Sequence, residues 1–334
     1  MRGFLLLLVV RTAAYKKAYK IVVFKESRTG STWMADMLAH EPAVAYFEHE
    51  ANNCFNKKVQ VDPSRVRSDT LRTFLGILGA PRCNMTCRAY DDAGVPTFAV
   101  AAAEDPRARP GCLAGKIVGF DVAAEHLLRQ NAAPLTWRGD WPRLLRLPDV
   151  TPVVYARSNL VKRKVSNVHA DVLQKFCWGT HKVVTAKARE CYEEHRAELE
   201  KPLALHAGKL AAGAHGDALK WSSLLDNVTE AAGGARPFVM YYEALQLDPK
   251  AEIERLFAAV GLGGKGEPVP EVLARSTSVK ITSDDLRRSV ANFDDVALEL
   301  DALDPCLAAQ FRDADSAVFA DLCLPGNRRV PWEP

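Results

Sequence analysis

The chain has 334 residues, with 44 Lys and Arg against 41 Asp and Glu, 48% hydrophobic and 25% charged residues, and a formal net charge of +3. This is the composition of a folded protein able to bury a sizeable core. The weak positive balance, with no basic run longer than Lys162-Arg163-Lys164 and no RNA- or DNA-binding motif, gives no support to a nucleic-acid partner but leaves room for a local anion site.

At the start, Arg2, the apolar run Phe4–Val10, then Arg11 and Thr12-Ala13-Ala14 resemble a signal peptide or the remnant of a membrane anchor over residues 1–18. The run is short of the ~20 apolar residues a bilayer crossing needs. A frayed approach to the first strand is the alternative. Short apolar runs then read as strands: Ile21-Val22-Val23-Phe24, Ala43-Val44-Ala45-Tyr46-Phe47, Lys116-Ile117-Val118-Gly119-Phe120, Thr151-Pro152-Val153-Val154-Tyr155 and Phe238-Val239-Met240-Tyr241-Tyr242. Helical spacing follows at 31–40, 158–174, 213–232 and 249–260, the last opened by a capping Asp248 and Pro249. Alternation of this kind predicts an α/β fold with a parallel sheet buried on both faces. Residues 19–325 read as a single domain, interrupted at about 80–115 by a Cys-, Pro- and Gly-rich insertion loop without periodicity.

Eight cysteines stand at 54, 83, 87, 112, 177, 191, 306 and 323. Cys83-Asn84-Met85-Thr86-Cys87 encloses a glycosylation sequon in a short cysteine loop, and Asn227-Val228-Thr229 is a second sequon within a helical pattern. Together they predict a secretory, Golgi-lumen setting, with a cytoplasmic enzyme carrying free thiols as the alternative.

Two segments carry chemistry. Lys25-Glu26-Ser27-Arg28-Thr29-Gly30-Ser31-Thr32-Trp33 lies between a strand and a helix, where backbone N–H groups and a helix N-terminus converge on one point. Gly30 permits a tight turn, Ser31 and Thr32 add hydroxyls, and Arg28 adds a fixed charge. The same residues would also make a plain capped helix. The Gly-Lys-Ser/Thr ending of the Walker pattern is absent, which disfavours ATP or GTP hydrolysis. The second segment, Tyr155-Ala156-Arg157-Ser158-Asn159-Leu160-Val161-Lys162-Arg163-Lys164-Val165-Ser166, follows a strong strand. Arg157 and Ser166 could share one anion; a solvated basic helix face is the alternative.

The first segment resembles the 5′-phosphosulfate loop of sulfotransferases that use PAPS (3′-phosphoadenosine 5′-phosphosulfate). It pairs the arginine of the Golgi carbohydrate members, Arg-Ser/Thr-Gly-Ser-Ser, with the tryptophan of the cytosolic Pro-Lys-Ser-Gly-Thr-Thr-Trp form. The resemblance implies a P-loop-like central parallel sheet and PAPS as co-substrate, leaving as 3′,5′-ADP, with no metal. Arg28 would hold the phosphosulfate and neutralise charge on the bridging oxygen, within a donor loop of Ser27, Thr29, Gly30, Ser31, Thr32 and Trp33. The second segment is similar to the family's 3′-phosphate motif, which implies that role for Arg157 and Ser166. Here Ser158 stands where the arginine is expected, so Arg157 reaches over, or Lys162 or Arg163 substitutes. Tyr242-Glu243-Ala244-Leu245, Asp248-Pro249 and Val260-Gly261-Leu262 match a further, structural stretch, and Lys280 a late basic contact to the 3′-phosphate.

The histidine base of the cytosolic members, in Lys-Thr-His-Leu-Pro, has no match; Gly119-Phe120-Asp121 runs there, with His126 further on. Carbohydrate members use a carboxylate after the second strand, which implies Glu48 as base, with Glu50 and His49 behind it. The expected acceptor is then a hydroxyl of a glycan. Two readings compete: a P-loop-type nucleotide kinase without its lysine, and a non-catalytic nucleotide- or sugar-binding protein on the same scaffold.

Overall fold

The computed structural model describes residues 19–26, 29–41, 43–47, 85–90, 96–100, 117–123, 138–177, 186–263, 270–276, 285–313 and 318–332. Five strands, β1 (Tyr19–Lys25), β2 (Val44–Phe47), β5 (Ile117–Ala123), β6 (Val150–Ala156) and β7 (Phe238–Tyr241), form one sheet. Their order is β2-β5-β1-β6-β7, and every neighbouring pair is parallel. The strands are the β-branched runs because both faces are covered, and a pleated strand must then present apolar side chains in both directions.

Alternation along β1 divides the core. Ile21 and Val23 pack with α1 (Ser31–His40) and with Ile253, Leu256 and Phe257 of α8 (Pro249–Ala259). Val22 and Phe24 pack on the other face with α2 (Asp140–Leu145), α3 (Leu160–Phe176) and α6 (Ala207–Ala231). Trp141 of α2 meets the Phe24 ring edge-on at 4.8 Å. Helices therefore flank a P-loop-like parallel sheet on both sides.

The chain continues past the expected boundary at 325. After α4 (Ala186–Glu194) and α5 (Arg196–Leu199) precede α6, and α7 (Tyr242–Leu247) follows β7, come α9 (Leu286–Ser289), α10 (Phe293–Leu303) and α11 (Pro305–Arg312). The hairpin β8 (Asp321–Leu324) and β9 (Arg328–Pro331) then carries Trp332 into the core, 5.9 Å from the rings of both Trp221 and Tyr241.

Two expectations shift. Within the 80–115 stretch, β3 (Met85–Tyr90) and β4 (Pro96–Val100) form an antiparallel pair, so part of it is a hairpin and not a featureless loop. Thr86, Tyr90, Thr97 and Val100 are residue types that favour strands. The helix expected from 213 starts at Ala207. Gly213 inside it weakens the helical signal, yet a Cβ there would lie 3.2 Å from the Lys164 side chain, so the glycine lets α3 and α6 approach. Two disulfides, Cys177–Cys191 and Cys306–Cys323, join α3 to α4 and α11 to β8. Asn84, Cys54, Cys83 and Cys112 lie outside the described residues. Among the described residues no helix is long and apolar enough to cross a membrane; the segment 1–18 lies outside them.

Gln310 of α11 joins the late helices to the sheet. Fully buried, its Oε1 accepts from Leu160 N–H at 3.0 Å and Val161 N–H at 3.4 Å, and its Nε2 donates to the Ser158 carbonyl at 3.3 Å. Gln310→Leu keeps the volume but strands these groups, at about 1–3 kcal/mol for each unsatisfied one. A loss of about 2–4 kcal/mol in urea denaturation is the expected outcome.

Candidate active site

From β1 the chain moves towards β5 and β2, and from β6 it moves the other way to β7. The helix after β1, α1, covers one face, while α3, the helix after β6, covers the other. The crevice at the carboxyl ends of two such strands is the place where open α/β sheets bind ligands. Both sequence segments begin at these strand ends.

On the β1 side, Gly30 is the residue before α1, with a left-handed backbone (φ 78°). Its carbonyl accepts from Trp33 N–H at 2.9 Å and Met34 N–H at 3.2 Å. No side chain caps the helix start, and its first turn holds no acidic residue. The N-terminus of α1 thus presents amides and the positive end of the helix dipole to the crevice. Buried Thr29 donates its hydroxyl to the Glu26 carbonyl at 2.8 Å, so that group shapes the turn. Ser31 is buried, whereas Thr32 and Trp33 are half-buried, and the Trp33 ring meets Tyr242 edge-on at 5.7 Å. Ser27 and Arg28 lie outside the described residues.

The β6 side differs. Arg157 leaves the strand end buried, its guanidinium 4.1 Å over the Tyr242 ring and its Nε 4.0 Å from Glu243 Oε1. Ser158, in the place where an arginine is expected, is fully buried: its N–H and hydroxyl donate to Glu243 Oε2 at 2.9 and 3.2 Å, and its Oγ accepts from Phe319 N–H at 3.0 Å. It is a structural link, and Arg157 beside it carries the charge. The amides of α3 are already taken, by Gln310 and by Asn159, whose Oδ1 accepts from Lys162 N–H at 2.9 Å. Any anion on this side must therefore be held by side chains. Ser166 is half-buried on α3, six residues or about 9 Å beyond Leu160 along the axis.

The basic run is not a solvated face, because Lys162 and Arg163 are buried in ion pairs. Lys162 Nζ meets Asp313 at 3.0 Å, and Arg163 meets Glu26 at 2.7 Å and also Asp217, which Lys164 approaches at 2.8 Å. Lys162 and Arg163, the alternatives to Arg157 at the 3′-phosphate, are thus each engaged by carboxylates of the protein itself. Arg163 thereby ties α3 to Glu26, the residue after β1.

Beneath the crevice, on the face covered by α1, a row of buried polar side chains crosses the sheet: Tyr46 on β2, Asp121 on β5, Lys25 on β1 and Tyr155 on β6. Lys25 is the register partner of Tyr155 and forms an ion pair with Asp121. Burial pushes both phenols well above the ordinary tyrosine range, so both stay protonated. The sequence alone marks neither Tyr155 nor Lys25: Tyr155 ends a strand run that reads as core, Lys25 reads as the first residue of the loop segment, and only their place at the carboxyl ends marks them. Glu243 was read only as structural, and the clamp on Ser158 agrees with that.

Glu48, His49 and Glu50, which follow β2, lie outside the described residues, as do His126 and Lys280. The segment 270–276 that leads towards Lys280 is tied to α1. Glu41 accepts from Leu273 N–H at 3.0 Å and Ala274 N–H at 2.7 Å, and Asp36 accepts from the Ser276 hydroxyl at 2.6 Å. It runs back along α1 towards the helix start. Among the described residues no group of three or more His, Cys, Asp or Glu could hold a metal ion.

No protein-family model matches the chain, and no curated protein matches it. Among solved structures, a sulfotransferase from Alicyclobacillus acidocaldarius aligns over 89% of this chain and 94% of its own, at 14% identity and a TM-score of 0.37. A sulfotransferase from Mycobacterium avium aligns over 86% of this chain and 77% of its own, at 15% identity and a TM-score of 0.30.

Gly30→Ala tests the crevice. A Cβ there would stand 2.4 Å from the Tyr242 ring, on a backbone conformation that side chains disfavour. Thermal or urea denaturation should show a loss of about 1–3 kcal/mol. Adding Tyr242→Ala should give a double variant less destabilised than the sum of the singles, since it removes the clash and leaves the backbone strain.

Proposed function

We propose that the chain is a PAPS-dependent sulfotransferase moving a sulfuryl group to an acceptor hydroxyl of a carbohydrate. The observation that carries this reading is the open N-terminus of α1 beside Arg157 at one crevice. A helix end without its own cap suits the 5′-phosphosulfate, and a buried guanidinium on the adjacent strand end suits a second phosphate. The order Ser27-Arg28-Thr29-Gly30-Ser31-Thr32-Trp33 selects the sulfuryl donor over an ATP-type ligand, whose lysine it lacks.

In this reading Arg28 binds the phosphosulfate with the donor-loop amides and offsets charge on the bridging oxygen. Arg157, Ser166 and Lys280 hold the 3′-phosphate; the course of 270–276 along α1 supports Lys280. The acceptor oxygen forms its bond to sulfur in line as the bond from sulfur to the bridging oxygen breaks. Its proton passes to Glu48, and 3′,5′-ADP departs with the electron pair. Positioning and fixed charge supply most of the acceleration, and partial desolvation of Glu48 suits it as a base near neutrality. The two disulfides support an oxidising, Golgi-lumen setting, in keeping with an N-terminal signal or anchor.

The test is transfer of labelled sulfate from PAPS to pooled glycans and to phenols. Transfer to glycans is expected; donor binding without transfer to any acceptor would leave a binding protein in place of an enzyme. Arg28→Ala should lower turnover by roughly a hundredfold or more, as for loss of a donor aimed at developing charge. Unchanged turnover would remove its assigned role. Arg157→Ala and Ser166→Ala should weaken binding of 3′,5′-ADP while sparing the analogue without a 3′-phosphate, and equal weakening of both contradicts that contact.

A further inference from the structure

The polar row under the crevice contains a hydroxyl that none of the described residues engages. Tyr155 is fully buried, and its phenolic oxygen has no hydrogen-bond partner among the described residues. Buried hydroxyls are almost always paired, because leaving water without compensation is unfavourable. The position of this one is specific. Tyr155 lies at the carboxyl end of β6 beside Lys25, and its oxygen is 3.5 Å from where a Cβ on Gly30 would stand. Gly30 opens α1, the helix whose first amides no side chain caps. An unpaired donor and an uncapped helix end thus point to one place. Tyr46, the other buried phenol of the row without a partner among the described residues, sits at the edge strand β2 beyond Asp121, away from Gly30.

We propose that Tyr155 is a donor-contacting residue whose hydroxyl hydrogen-bonds the 5′-terminal phosphate group of the nucleotide at the N-terminus of α1. The assignment rests on the sulfuryl-donor reading and adds to it a contact that the loop sequence does not contain. A phenol held neutral by burial donates to an anionic oxygen without adding charge, which complements Arg28 and the loop amides.

Tyr155→Phe in the full chain tests it. Without ligand, removing an unpaired buried hydroxyl leaves the thermal midpoint unchanged or raises it, whereas loss of a structural hydrogen bond lowers it. By titration calorimetry the variant should bind 3′,5′-ADP about tenfold more weakly, the effect of one hydrogen bond to a charged group. Adenosine 3′-monophosphate, which lacks the 5′-phosphate, should bind wild type and variant equally. Equal weakening of both nucleotides, or undiminished binding of 3′,5′-ADP, overturns the assignment. Inorganic pyrophosphate separates this failure from failure of the donor reading. If wild type binds pyrophosphate but not 3′,5′-ADP, and the variant loses pyrophosphate, the anion contact stands and the nucleotide falls. If wild type binds neither, both fall.

Discussion

The ring of Tyr242 occupies the space that any side chain on residue 30 would need. That one exclusion fixes Gly30, and through it the left-handed turn that starts α1 at the carboxyl end of β1. The Arg157 guanidinium lies over the same ring, while the next residue, Glu243, grips Ser158 by two hydrogen bonds. The start of α1, the end of β6 and the β7–α7 junction are thereby held in one packing unit. Movement of any of them must displace a buried aromatic ring.

The two helices that meet at the crevice are finished in opposite ways. The start of α3 is closed by Asn159 and by Gln310, so its dipole is consumed internally and its role is to place Arg157. The start of α1 lacks such a cap. In the proposed nucleotide site, anion contacts would therefore come from backbone amides on the β1 side and from a side chain on the β6 side. The first responds to geometry and the second to charge. The carboxylates of Glu26 and Asp217 pair with Arg163, and that of Asp313 with Lys162.

The strands and the cap of α8 were legible because they depend on neighbours in sequence: β-branched runs, and Asp248 accepting from Ala251 N–H at 3.0 Å. The late helices were not, partly because Leu298 and Leu303 of α10 point to solvent and blur the apolar stripe. At the site, the loop order Ser27–Trp33 was readable, as was the Arg157 position. What sequence could not convey was partnership at long range. Lys162-Arg163-Lys164 reads as a basic face until Asp313 and Asp217, each dozens of positions away, turn it inward. Tyr155 reads as core until its hydroxyl, at the strand end, proves to have no partner among the described residues.

The central claim is that the crevice is built for a nucleotide carrying phosphate at both the 3′ and 5′ positions. Thermal-shift titration with 3′,5′-ADP, ADP and ATP in parallel tests it most directly. A large stabilisation by 3′,5′-ADP, with little from the other two, is the result expected. Stabilisation by ATP or ADP equal to or above that by 3′,5′-ADP would contradict it and favour a kinase-type nucleotide site.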